Sequence, residues 1–254
     1  MAGLGLLTAP VAAVGVLTVP TAARAALQST PEEPDARELL ARAERVYSEL
    51  RTLRARFTQT VEVPLLERSR TGSGVWYQKG RGRFKMEFAD PIGDLIVADG
   101  TYLWLYYPTT NPGQAIRSTI EASPMGAQMV DLQGRIFEDA RTSYDAEYVG
   151  EERVTGRAAH LIALHPRAGS PYRLVRVWVD TENYLVRKFE ITEENQTVRT
   201  VVLGDLEPNV PIDDGTFHFV LPRESTSFRD EARPGQSGLR QEHRRFRANP
   251  RRPH

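Results

Sequence analysis

The 254-residue chain contains no cysteine. That excludes a disulfide scaffold, thiolate zinc or iron–sulfur sites, thiol catalysis and any lipid anchor built on a cysteine. Lysine is nearly absent too: Lys79, Lys85 and Lys188 stand against thirty arginines, a skew that reflects codon composition more than chemistry. Net charge is also lacking, since 33 basic side chains balance 33 acidic ones, which removes the simple electrostatic case for nucleic-acid binding. What is present is 40% hydrophobic residues in 28.5 kDa, enough apolar material for one large domain or two small ones.

Catalytic and cofactor signatures are missing as well. There is no HExxH, Gly-x-Ser-x-Gly, P-loop or dinucleotide fingerprint. His160 and His165 are five residues apart in one expected strand, so they point to opposite faces and cannot share a metal ion. His218, His243 and His254 are isolated. The glycine pairs Gly72/Gly74 and Gly80/Gly82 flank a strand instead of opening a helix, so turns or bulges are expected there, not a phosphate cradle. Adjacent acids at Glu151-Glu152, Glu193-Glu194 and Asp213-Asp214 read as solvated turn residues. No nucleophile, base and orienter come together, so neither an enzyme nor a bound metal or cofactor is expected.

The two ends differ from the body. Residues 1–25 are apolar, carry only Arg24 as a charge, and close on Ala23-Arg24-Ala25, a secretory signal peptide cleaved after Ala25. A transmembrane anchor is the competing reading, weakened by Pro10 and Pro20. No basic residue precedes the apolar stretch, which suggests a start codon further upstream. Residues 26–34 form a Pro-containing linker. From 229 to 254 the chain holds eight arginines and three acids with almost no aliphatic side chains, a basic disordered tail. Residues 26–228 carry 24 basic and 30 acidic side chains, so the neutral total conceals a body of −6 and a tail of +5.

Within 35–228, Asp35 caps a helix on which Leu39, Ala43, Val46, Leu50 and Leu53 form one apolar stripe, with Glu38 completing a capping box. The period then shifts to two. Ala55, Phe57, Val61 and Val63 share one parity, and Phe84, Met86 and Phe88 alternate with Arg83, Lys85 and Glu87. Further strands are expected at 74–79, 94–99, 101–107, 159–165, 174–180, 184–192, 197–205 and 217–222. Short turns between them require antiparallel neighbours. Between the two halves, Met125, Met129, Leu132, Ile136 and Phe137 suit a short amphipathic helix over 123–137 that packs across the sheet. The expected fold is mainly β: a long, strongly bent antiparallel sheet whose concave apolar face is either filled by helices or left as a cavity for a hydrophobic ligand.

The order of several motifs narrows this. Phe57-Thr58-Gln59 after the first helix, Gly74 and Trp76 with Lys79, the aromatic strand RFKMEF running to Pro91, then Asp99, Gly100, Leu103, Trp104, Tyr106 and Pro108 together resemble LolA, the periplasmic carrier family of outer-membrane lipoproteins. DDGTFHFVLP (213–222) is similar to that family's C-terminal strand. The resemblance implies an unclosed, strongly curved antiparallel β-barrel with an N-terminal helix and a helical lid over the concave hydrophobic face. It implies a periplasmic, monomeric carrier of acylated lipoproteins, loaded by an inner-membrane lipoprotein-exporting ABC transporter and unloaded to an outer-membrane receptor lipoprotein. The receptor relative is itself anchored through a cysteine and the RseB-like regulators carry a second domain, so the cysteine-free chain fits the soluble shuttle best.

The cavity so implied would be lined by Phe57, Val61, Trp76, Phe84, Met86, Phe88, Leu95, Val97, Met125, Met129 and Ile136, residues that suit ordinary core packing equally well. LolA proteins place an arginine that holds the lid, followed by proline, after the position of Lys79. Here Gly80 and Arg81 stand there, leaving Arg81 or Arg83 as the latch candidate. A carrier or sensor of other lipids is the alternative function, and a hydrolase the least favoured one.

Overall fold

The computed structural model describes residues 33–80, 82–120, 144–167, 172–222 and 226–229. The stretch 1–25, the helical segment expected at 123–137, Arg81 and the tail beyond 229 lie outside these residues. Asp35 opens helix α1 (Ala36–Glu49): its carboxylate accepts a hydrogen bond from the Arg37 N–H at 2.9 Å. Glu38 pairs with Arg42 one turn on, at 2.5 Å. Leu39, Leu40, Ala43 and Tyr47 form the buried stripe. The helix stops earlier than the spacing suggested, because Leu50 is already extended, and Leu53 is buried on the first strand instead.

Twelve strands follow among the described residues: β1 (Thr52–Val63), β2 (Arg68–Lys79), β3 (Arg83–Asp90), β4 (Leu95–Asp99), β5 (Tyr102–Tyr106), β6 (Gln114–Thr119), β7 (Tyr144–Val154), β8 (Arg157–Pro166), β9 (Tyr172–Asp180), β10 (Val186–Glu193), β11 (Val198–Pro208) and β12 (Thr226–Arg229). They make one curved, unclosed sheet in the order β12-β6-β5-β4-β3-β2-β1-β11-β10-β9-β8-β7. Every neighbouring pair is antiparallel except β12 with β6. β1 sits near the centre, hydrogen-bonded to β2 on one side and β11 on the other, so β2 to β6 build one arm, with β12 added at its edge, and β7 to β11 build the other.

Side-chain alternation separates two faces. The concave face carries the main core, which joins the α1 stripe to Phe57, Trp76, Met86 and Ile96 on one arm and to Ile162, Val177 and Phe189 on the other. On the convex face a smaller cluster of Val154, Ala159, Leu161 and Trp178 is covered by charged stems. Lys188 Nζ stands 3.9 Å from the centre of the Trp178 ring, and the indole N–H donates to Glu152 Oε2 at 2.7 Å.

Two expectations are corrected here. Residues 217–222 are not a strand. The Asp213 carboxylate accepts from the Gly215 N–H at 2.8 Å and starts a 3-10 turn (Asp214–Phe217), after which Phe219 lies against Trp104 and Tyr106. Glu151-Glu152 are not in a turn but within β7, an edge strand whose many charges mask its alternation. Among the described residues, no helix is long and apolar enough to cross a membrane.

Candidate functional site

Cross-strand register assembles the concave face row by row. Ala55, Trp76, Met86, Ile96 and Leu105 stand side by side on β1 to β5; Leu53, Gln78, Phe84, Ala98 and Leu103 form the row beside them. Trp76 stacks on Phe84 with ring centres 5.5 Å apart and meets Phe189 edge-on at 6.4 Å. Phe57 and Phe88 meet edge-to-face at 4.9 Å. Such pairs add to the stabilisation that burial alone provides.

Glycine makes the Phe88 position possible. A Cβ at Gly72 would stand 2.8 Å from the Phe88 ring, and one at Gly74 would overlap the Glu87 carbonyl oxygen at 1.9 Å. The β2–β3 register shifts between Ser73 and Gly74, which face Asp90 and Phe88, so Ala89 is the extra residue of a bulge on β3 and the glycines lie opposite it.

Beyond Phe88 the concave face opens into a cleft of about 690 Å³, walled by Gln59, Val61, Gly72, Phe88, Tyr107 and Arg199, among others. Sites for small ligands span roughly 300–1,000 Å³. Arg70 and Arg199 flank Val61 on the neighbouring strands β2 and β11. Their electrostatic settings differ. Arg70 Nη2 lies 2.6 Å from Oδ2 of the buried Asp94, whose Oδ1 accepts from Thr109 Oγ1 at 2.7 Å. Among the described residues, Arg199 donates to one neutral oxygen, Gln59 Oε1 at 3.2 Å, and its buried Nε–H has no acceptor. Burial pushes the Tyr107 phenol up, against the opposing pull of Arg199.

Of the residues expected to line a cavity, Phe57, Trp76, Phe84, Met86 and Phe88 are buried on this face, and Val61 is half-buried at the cleft. Leu95 and Val97 are not on it. They pair with Glu87 and Lys85 and face the convex side, where the residues opposite them on β5 are Tyr106 and Trp104. Ile96 and Ala98 take the concave positions. DLIVAD is apolar on both faces, so its composition carries no parity signal. Met125, Met129, Ile136 and Arg81 lie outside the described residues. Arg83 is turned to the convex side with Lys85, and its Nη1 pairs with Asp214 Oδ1 at 2.9 Å beside Lys79 Nζ at 2.7 Å. It therefore ties the C-terminal 3-10 turn to the sheet, away from the concave face where a lid would close.

Leu103, Leu105, Gln59, Tyr107 and Arg199 were not among the expected lining residues, although Gln59 and Leu103 stand in the motifs quoted above. A signal for Arg199 existed: in TVRTVVLGD it shares the parity of Val201 and Leu203, both buried. Among the described residues, no three His, Cys, Asp or Glu side chains are grouped to hold a metal. The arrangement is suited to shelter an apolar chain and to place a cation at the open end.

Known proteins of the same kind share this arrangement of sequence. The pattern of the family described as outer membrane lipoprotein carrier protein LolA matches residues 48–220. An outer-membrane lipoprotein carrier protein of Neisseria meningitidis serogroup C is 24% identical over 168 residues, covering 66% of this chain and 75% of its own. Its counterpart in Pasteurella multocida is 26% identical over 179 residues, covering 69% and 80%. Among solved structures, MucB superposes with a TM-score of 0.50 at 18% identity, over 79% of this chain and 68% of MucB, a likeness of fold.

Proposed function

We infer the function from one premise: the chain belongs to the LolA family of outer membrane lipoprotein carrier proteins. We propose that it is a periplasmic carrier that holds the acyl chains of lipoproteins against its concave face. It takes them from an inner-membrane lipoprotein-exporting ABC transporter and passes them to an outer-membrane receptor lipoprotein, without covalent chemistry. The observation that supports this most is the continuity of the apolar face from Phe57 through Trp76 and Met86 to Ile96, opening at Phe88 into the cleft. Each methylene withdrawn from water contributes roughly 0.8 kcal/mol, so acyl chains crossing an aqueous compartment need such a surface.

Arg81 is the residue proposed to hold a lid over this face. An Arg81→Leu variant that loads and releases cargo like the parent contradicts that role.

The test of the carrier reading is mass spectrometry of molecules that co-purify with the full chain from the periplasm of its native host. Acylated lipoproteins support it; free lipids alone, with no acylated protein, contradict it.

A further inference from the structure

We propose that Arg199 makes the cleft a site for amphiphiles with an anionic head, a carboxylate or a phosphate, whose apolar chain runs along the concave face past Phe88. This rests on the concave face being an acyl-chain site and adds a class of ligand to it, because the acyl esters and amide of a lipoprotein are neutral.

The argument is one of uncompensated charge. Arg70 and Arg199 stand on either side of Val61. Arg70 is neutralised by Asp94, a carboxylate that is 1% exposed and fixed by Thr109. Arg199 has no carboxylate partner among the described residues; its hydrogen bond goes to the Gln59 amide oxygen, and its Nε–H is buried with no acceptor. A buried donor without a partner is destabilising, and so is a half-buried guanidinium with no counter-charge beside it. The missing counter-charge is supplied when an anionic oxygen enters the cleft, and guanidinium groups favour carboxylate and phosphate as charge-assisted, two-point partners.

The charges that line the cleft agree. Arg68, Arg70 and Arg199 face Glu67 and Asp94; Asp94 is consumed by Arg70, Glu67 and Arg68 are both exposed at the rim, and the inward charge left over is that of the half-buried Arg199. Gln59 is buried and cannot supply a charge of its own, yet it holds the guanidinium at the wall. Phe88, Val61 and Gly72 next to it offer the methylenes of a chain an apolar path.

The test is displacement of the neutral dye Nile red from the full chain by three ligands of equal chain length: dodecan-1-ol, dodecanoate and dodecyl phosphate. At least one anion should bind about tenfold more tightly than the alcohol, the effect of one charge-assisted contact. Preference for dodecanoate alone identifies a fatty acid as the source, and preference for dodecyl phosphate alone identifies a phospholipid head group. In Arg199→Met the anion-to-alcohol ratio should fall to about one, while Arg199→Lys, which keeps the charge and loses the two-point geometry, should retain only part of it. Equal binding of anions and alcohol by the parent overturns the proposal and leaves the acyl-chain reading intact. So does an undiminished ratio in a folded Arg199→Met protein. If none of the three displaces the dye, both readings fail. The parent's ratio decides the matter even where a variant does not fold.

Discussion

The phenol oxygen of Tyr47, on the last turn of α1, accepts a hydrogen bond from the backbone N–H of Val186 at the start of β10, 3.1 Å away. Two elements 139 positions apart are thereby joined by a polar contact inside an apolar core. Burial pushes the Tyr47 phenol up to about 12, so it stays protonated at any physiological pH. Tyr47→Phe keeps the ring and strands the Val186 N–H; it should cost about 1–3 kcal/mol in urea unfolding with an unchanged m-value.

The Phe88 position makes a second demand on sequence. Gly74→Ala places a Cβ into the Glu87 carbonyl, a backbone atom that cannot yield without breaking the β2–β3 pairing. It should destabilise by about 1–3 kcal/mol, and Gly72→Ala by less, because the Phe88 ring can give way. Thermal unfolding of the two variants side by side checks the order.

Asp180 sets the acid limit of stability. Burial of this fully enclosed carboxyl would raise its pKa, but the N–H groups of Glu182 and Asn183 and the guanidinium groups of Arg157 and Arg187 outweigh that and hold it at about 2, against an ordinary 3.8. A lowered carboxylate pKa stabilises the fold above the unfolded value and ceases to do so as pH falls through the folded one. At about 1.4 kcal/mol per unit, the contribution is on the order of 2 kcal/mol, complete above about pH 4 and lost toward about pH 2. Asp180→Asn should lower stability at neutral pH by about that amount and flatten the pH dependence between about 2 and 4 in urea titrations.

Ile96 and Val97 separate the two faces functionally. Both are closed to solvent, so truncation to Ala should cost about 1–4 kcal/mol at either site. Only Ile96→Ala opens space in the concave-side core along which an acyl chain is proposed to lie. Nile red affinity should change severalfold in Ile96→Ala and stay at the parental value in Val97→Ala.

Much of this was legible before the structure. Alternation in ARFTQTVEV and RFKMEF placed Phe57, Phe84, Met86 and Phe88 on one face, because polar residues mark the other. The signal failed where a segment is apolar on both faces, as in DLIVAD, where Leu95 and Val97 exchanged places with Ile96 and Ala98. It failed again at FHFVLP, where Phe217 is buried in the 3-10 turn and Phe219 is half-buried against Trp104 and Tyr106 of β5, neither by strand pairing. Charged edge strand β7 was hidden for the converse reason. Of the cleft, Val61 and Phe88 were legible by alternation, but Arg199 and Arg70 were not, since the non-local register sets them around Val61.

The central claim is that acyl chains lie on the concave face. A triacylated lipoprotein carrying a photoreactive diazirine near the end of its acyl chains tests it most directly, by irradiation of the loaded protein and peptide mapping. Adducts on Val61, Phe88, Leu105 or Tyr107 are predicted. Adducts confined to Leu95, Val97 or Trp104 on the convex face would contradict the account.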